Sequence, residues 1–312
     1  MTMVLPSATP REWIETYHRA SLLGSAEPPG GGRRCRNLTR DEVLAQDGAL
    51  LGELHAALVR GGTPPKAAAK YLAHGFGALL ARAVGYAVVA SGASFVVDAG
   101  VCWRIEPDDL YPGTVDLGMP LALVDPTHRW AGLPGTEVVA DEGERFARAN
   151  AAVVTVVAPI IDVLRVLSGL GRAGLWAEVA DGYAGWITDQ QLIEVTERRI
   201  DLLRGLVDAD GAPWKTGPQL WTVHTEHGVA CCMQKGGCCL HYTEPQHASR
   251  GGEGVEDDDH DPLLAEFREA FAEPGAPAYC TCCSLRARTS VQERQLWWFE
   301  RRRPPGIDDA SR

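Results

Sequence analysis

The sequence predicts an α+β chain that is predominantly helical, with a small antiparallel sheet and a cysteine-rich C-terminal region. Three observations carry this. Runs with apolar residues at helical spacing fill most of the first two-thirds of the chain. Short β-branched and apolar runs interrupt them between residues 94 and 124. Seven of the nine cysteines fall within the 53 residues from Cys231 to Cys283.

In chain order, residues 1–40 read as a flexible N-terminal segment. A short helix from Arg11 to Leu22 is followed by Pro28-Pro29 and Gly30 to Gly32. That loop lacks the Gly-Lys-Ser/Thr ending of a phosphate-binding turn. A mainly helical body with a small sheet is expected over 41–220. Asp41 to Val59 carries Val43, Leu44, Leu50, Leu51, Leu54 and Leu58 at helical spacing. Thr63-Pro64-Pro65 starts a second helix, with Thr63 as its cap, running to about Val89. Ser94 to Asp98, Val101 to Ile105 and Thr114 to Val124 supply the sheet.

A second helical block begins near Asp141, and its Val and Ile residues from Val153 to Ile161 imply deep burial. Pro159 is placed to kink it, and Gly169 and Gly171 to end it. Trp176 to Ile187 and Gln190 to Val207 complete the helices, the former weakened by Gly182 and Gly185. Residues 208–220 form a connector. Residues 221–285 form the cysteine-rich region, with a polar, acidic insert over 246–261 that reads as solvated. Residues 286–312 form a tail containing Trp297-Trp298 and Arg301-Arg302-Arg303. The tryptophans either grip a partner or membrane surface or belong to a packed helix.

The chain has 312 residues, 45% of them hydrophobic, enough for one large core or two smaller ones. A formal charge of −11 gives no basic footprint, so no nucleic-acid partner is expected. The N-terminus does not read as a signal peptide, and no uncharged apolar stretch reaches a membrane-spanning length. A cytoplasmic location follows as an expectation, with peripheral membrane association left open. No nicotinamide or flavin fingerprint occurs.

An odd cysteine number in a long chain argues against a disulfide framework and for a local metal or redox site. Soft thiolates bind zinc, iron and iron–sulfur clusters. Cys280 and Cys283 make a C-x-x-C pair. Cys238 and Cys239 are adjacent, and converge on one centre only if the chain turns tightly, which Gly236-Gly237 permits. Cys231 and Cys232, with His224 and His227, form a second possible donor set. Cys35 and Cys102 stand alone and read as inert, Cys102 as buried.

GCCLHY at 237–242 followed by YCTCCSL at 279–285 resembles the C-terminal signature of the FhuF-type ferric siderophore reductases. The stretches GRAGLWAEVADGYAG (171–185) and AAKYLAHGFGALLARAVGY (68–86) are similar to that family's helical region. The resemblance implies a C-terminal iron–sulfur region, with one [2Fe–2S] cluster ligated by Cys238, Cys239, Cys280 and Cys283. It implies one-electron reduction of ferric siderophores to release ferrous iron, fed by a ferredoxin or flavin reductase. It also implies a fold similar to the helical C-terminal part of aerobactin-type siderophore synthetases, without ligase activity.

The chain departs from that pattern in three ways. Forty residues separate Cys239 from Cys280, far more than the family's spacer. The added loop-closure cost is only roughly 0.6 kcal/mol per doubling. Cys282 sits inside the C-x-x-C pair, and Cys231-Cys232 is an extra pair. The acidic insert is expected to lower the cluster's potential. Trp221, Lys235, His241 and Tyr242 are candidates to contact the substrate. Two other functions compete: an iron–sulfur sensor or electron carrier, and a zinc-stabilised binding or scaffold protein. Elsewhere, His128-Arg129-Trp130 reads as a surface loop, Trp176 as core, and Glu178 and Asp181 as solvated or arginine-paired acids.

Overall fold

Thr39 fixes the start of the first helix. Its hydroxyl accepts the Glu42 amide while the Glu42 carboxylate accepts the Thr39 amide, a reciprocal cap. This is a computed structural model describing residues 9–13, 36–105, 109–189, 196–226, 228–238, 240, 262–271 and 281–301. Strand β1 (Arg36–Thr39) leads into α1 (Arg40–Arg60). The sequence predicts one uninterrupted helix here, but α1 is two pieces. Ala45 is extended, and Gln46, Asp47 and Gly48 have positive φ. A side chain at Gly48 would also strike Val163 at 2.9 Å. The turn aligns the second piece against the core, where Leu50, Leu51, Leu54 and Leu58 are buried.

Helix α2 (Pro65–Ala73) starts with a proline at its first position, and its N-cap is Pro64 rather than Thr63. It passes through a π turn (His74–Ala78) into α3 (Leu79–Ser91), which Gly92 ends in the left-handed conformation. Helix α4 (Glu142–Ser168) is capped by Asp141, contains Pro159 without ending there, and stops at left-handed Gly169. Gly171 caps the next helix rather than ending this one. That helix, α5 (Arg172–Tyr183), runs into a short 3-10 turn (Gly185–Asp189). Helix α6 (Glu197–Val207) is capped by Thr196.

The expected single antiparallel sheet is instead two three-stranded sheets. Strand β3 (Cys102–Ile105) lies between β1 and β4 (Thr114–Asp116), all antiparallel. Strand β5 (Leu121–Val124) lies between β2 (Ser94–Val96), antiparallel to it, and β6 (Thr136–Val138), parallel to it. Strands β1 and β6 are too short and polar to signal themselves. A hairpin of β7 (Gln219–Thr225) and β8 (Gly228–Gln234) follows α6. Helices α7 (Pro262–Ala270) and α8 (Arg288–Arg301) complete the described elements.

The main core joins α1 to α6 through Leu72, Phe76, Leu80, Val84, Val153, Val157, Ile160, Val179 and Tyr183, all fully buried. Each such side chain contributes about 1.5–3 kcal/mol of transfer free energy. Gly182 is where α5 meets the α2–α3 segment most closely. A Cβ there would lie 2.4 Å from the Ala78 carbonyl oxygen. The glycine that weakens α5 as an isolated helix is what lets it pack.

Among the described residues, two helices are long and apolar enough to cross a membrane: the continuous Pro65–Ser91 segment and Glu142–Ser168. The first is largely buried inside the protein. Trp297 and Trp298 pack with Phe267 of α7, and Trp297 with Phe271 just beyond its end, so the tail tryptophans join two helices. His128 makes an internal contact through Nε2 to the Ser91 carbonyl, and Trp130 is buried. Residues 14–22, the insert 246–261 and the Arg302-Arg303 end lie outside the described residues.

Candidate functional site

One turn of α5 carries two carboxylates three residues apart, Glu178 and Asp181, on a shared face. They are 1% and 3% exposed, so neither is the solvated or arginine-paired acid expected from sequence. The Glu178 Oε1 pairs with Lys70 Nζ at 3.1 Å, and its Oε2 lies 3.6 Å from Lys235 Nζ. Lys70 also donates to the Gly174 carbonyl. Asp181 accepts the Gly236 amide at Oδ1 (2.7 Å) and the Gly237 amide at Oδ2 (3.2 Å). α2, α5 and the exit from β8 are thereby tied together by charge deep in the fold.

Burial pushes the Glu178 carboxyl up, but Lys235, Lys70 and His74 outweigh it and hold the group below the usual carboxylate range. Asp181 goes the other way. Burial, reinforced by the neighbouring Glu178 charge, raises it well above the ordinary value despite the two amides and Lys235. His74 opens the π turn and keeps a solvent-exposed edge although protein surrounds most of the ring. That surrounding, with Lys235 and Arg82 nearby and only Glu178 opposing, lowers the imidazole to about 4. It is therefore neutral at pH 7. π turns recur at functional sites.

The turn after β8 leads from this cluster to Cys238. The Leu240 amide donates to the Cys238 sulfur at 3.4 Å. Leu240 holds φ at +63°, a left-handed conformation that costs an ordinary residue about 1–3 kcal/mol. The Leu285 amide donates to the Cys283 sulfur at 3.4 Å in the same i to i+2 pattern. The two segments are stitched side by side. The Lys235 amide donates to the Cys282 carbonyl (2.8 Å), and Gln234 Nε2 to the carbonyls of Cys283 (3.2 Å) and Arg286 (2.8 Å).

Cys238 is partly exposed and Cys283 is buried. Cys239 and Cys280 lie outside the described residues, as do His227, His241, Tyr242 and Cys35. Of the remaining described cysteines, Cys231, Cys232 and Cys282 are buried in apolar clusters. Cys231 and Cys232 face opposite sides of β8, buried in different clusters, and burial pushes both thiols up to about 12. Cys282 is packed into the main core. Cys102 is half-buried rather than fully buried. Trp221 packs against Cys232 and Val291, donates to Gln292 Oε1 at 2.9 Å, and lies under the Arg288 guanidinium.

Sequence reasoning gave Lys70 and His74 no role. The available signal was a lysine directly after the Ala67–Ala69 run and before Leu72 and Ala73, on a helix whose small apolar residues are buried. Two shallow surface depressions, of about 650 Å³ near Arg165 and Arg172 and about 480 Å³ near Asp141 and Asp208, lie on other residues.

No family model, no curated protein and no solved structure matches the chain. Among the described residues no three His, Cys, Asp or Glu side chains gather to hold a metal ion. These findings correct the sequence expectation. The FhuF-type resemblance finds no support, and the mostly helical fold has no C-terminal iron–sulfur region among its described residues. The [2Fe–2S] cofactor, the siderophore reductase activity and the metal-based alternatives fall with it. The physical reason lies in the cysteines themselves. Their density suggested a ligand cluster, whereas Cys231, Cys232 and Cys282 are packing residues.

Proposed function

We propose that the chain acts through the thiolate of Cys238, on the segment that leaves β8 beside the Cys283 segment. The observation that carries this is the repeated amide-to-sulfur bond, from Leu240 to Cys238 and from Leu285 to Cys283. A hydrogen bond donated to sulfur favours the charged form of the thiol. Reactive cysteines sit in partly exposed, electropositive surroundings, while buried ones are inert. Cys238 is partly exposed and accepts the Leu240 amide, whereas Cys231 and Cys232 meet the second description.

The chemistry this supports is attack by the Cys238 sulfur on a soft electrophile, such as the disulfide of a partner molecule. In that exchange the thiolate bonds to one sulfur of the disulfide and the other leaves as a thiolate. The strained Leu240 backbone is in keeping with a site whose geometry is held for use.

The test is alkylation of the native protein by iodoacetamide across pH, with each cysteine followed by mass spectrometry. Cys238 is expected to react with a midpoint below the ordinary thiol value of about 8.5, and Cys231 and Cys232 to stay unmodified. A Cys238 midpoint at or above the ordinary value would overturn the proposal.

A further inference from the structure

We infer that Asp181 and Glu178 are positioning residues for Cys238: one turn of α5 grips three successive residues of the β8 exit and so sets where the sulfur lies. The inference rests on the thiolate function proposed above. Glu178 holds the side chain of Lys235, and Asp181 holds the amides of Gly236 and Gly237. The Lys235 amide is fixed from the other side by the Cys282 carbonyl. The next residue is Cys238.

The two glycine amides lie beyond the end of β8, where the β7 ladder no longer reaches them. An apolar helix face could cover this turn but could not accept two adjacent N–H groups. A buried donor left unpaired costs about 1–3 kcal/mol. The turn is also pressed against the helix. A Cβ at Gly237 would lie 2.7 Å from the Ala177 Cβ and 3.4 Å from Lys70 Nζ. With no side chain to wedge it away, the backbone itself is what α5 holds. The titratable and charged groups around this grip are Lys70 from α2, His74 from the π turn, Arg82 from α3, Glu178 and Asp181 from α5, and Lys235 from the turn itself.

The test uses the full chain as wild type and as Asp181→Asn, Asp181→Ala and Glu178→Gln. Two readouts are taken: amide hydrogen exchange and the rate of Cys238 alkylation at pH 7. In Asp181→Ala, protection of Gly236, Gly237 and Leu240 is expected to fall by about tenfold or more. The β7–β8 ladder amides of Val223 and Cys232 are expected to keep theirs. Cys238 alkylation is expected to slow by about threefold, as its amide partner and Lys235 lose their places. Asp181→Asn keeps one acceptor oxygen and is expected to fall between wild type and Asp181→Ala. If Asp181→Ala does not fold, Asp181→Asn and Glu178→Gln carry the comparison.

Unchanged Leu240 protection with unchanged alkylation would overturn the inference. So would a loss of protection spread equally over the β7–β8 ladder, which marks general loosening. The two proposals fail separately. An ordinary midpoint for wild-type Cys238 removes the thiolate function, whereas a lowered midpoint that the variants leave untouched, with Leu240 still protected, removes only the positioning role.

Discussion

Lys70 and Glu178 lie 108 residues apart in the chain and meet at 3.1 Å with side chains 5% and 1% exposed. Two charges taken out of water lose several kcal/mol of hydration each, which their attraction recovers only when the surrounding bonds are complete. Here the Gly174 carbonyl and Lys235 supply the rest. Removing one member leaves the others buried and uncompensated. Glu178→Gln is expected to destabilise the protein by about 3–5 kcal/mol, read from urea unfolding. Lys70→Met with Glu178→Leu and Lys235→Met removes all three charges together and is expected to cost less than Glu178→Gln alone. A triple variant weaker than the single one would show that the ions stabilise the fold beyond their own mutual compensation.

The pH dependence of stability follows from His74. Its folded value, about 4, lies below the 6.5 of an unperturbed imidazole. Below 6.5 the unfolded chain therefore binds a proton that the folded chain refuses. The His74 contribution is fully present above pH 6.5 and is lost as pH falls from there towards 4. Glu178 acts in the same sense at lower pH, because its folded value is depressed. Asp181 acts in the opposite sense, since a raised carboxyl favours the folded state at low pH and loses that advantage as pH rises. His74→Gln is expected to flatten the decline between pH 6.5 and 4, measured as midpoint against pH in urea. An unaltered slope would place the relevant proton elsewhere.

Much of the scaffold was legible because it rests on local chemistry. Asp141 as a helix start, Gly169 as a helix end and the buried Val and Ile run of α4 all follow from residue type and spacing. What sequence could not show depends on contacts across the chain. Gly182 looks like a helix breaker until Ala78 is found pressed against it. Glu178 and Asp181 look solvated until Lys70 and the β8 exit are found around them. The cysteines misled for a related reason. Adjacent cysteines on a strand point to opposite sides, so Cys231 and Cys232 enter two different apolar clusters rather than one site. Cys238 and Cys283 differ from them by a backbone amide on each sulfur, which no spacing rule displays.

The close approach at Gly182 gives a stability prediction with an internal control. A methyl group at 2.4 Å from the Ala78 carbonyl oxygen meets backbone, which cannot rotate aside. Gly182→Ala is expected to cost about 1–3 kcal/mol, the usual range for overpacking. Gly52 lies inside α1 with nothing within 4 Å of its added Cβ. Gly52→Ala is expected to stabilise by about 0.5–1 kcal/mol, because alanine loses less backbone freedom in a helix. Thermal unfolding of both variants checks the pair, and equal effects would contradict the close contact.

Gln295 gives the last prediction, and it concerns how the thiol segments are held to the body. Its Oε1 accepts the Met233 amide at 2.8 Å and its Nε2 donates to the Met233 carbonyl at 2.6 Å. The side chain thus pairs with β8 as a neighbouring strand would, on the edge away from β7. Met233 is 2% exposed and Gln295 is 7% exposed, so water does not readily replace these bonds. Gln295→Leu keeps the approximate volume but leaves both Met233 backbone groups unpaired. Each unpaired buried group costs about 1–3 kcal/mol, so the expected loss is about 2–6 kcal/mol in urea unfolding. Gln295→Glu retains the acceptor and loses the donor, and is expected to leave the Met233 amide protected from exchange while still destabilising. If Gln295→Leu leaves both stability and Met233 exchange unchanged, α8 does not brace β8, and the hairpin keeps its place through β7 and the Cys282 segment alone.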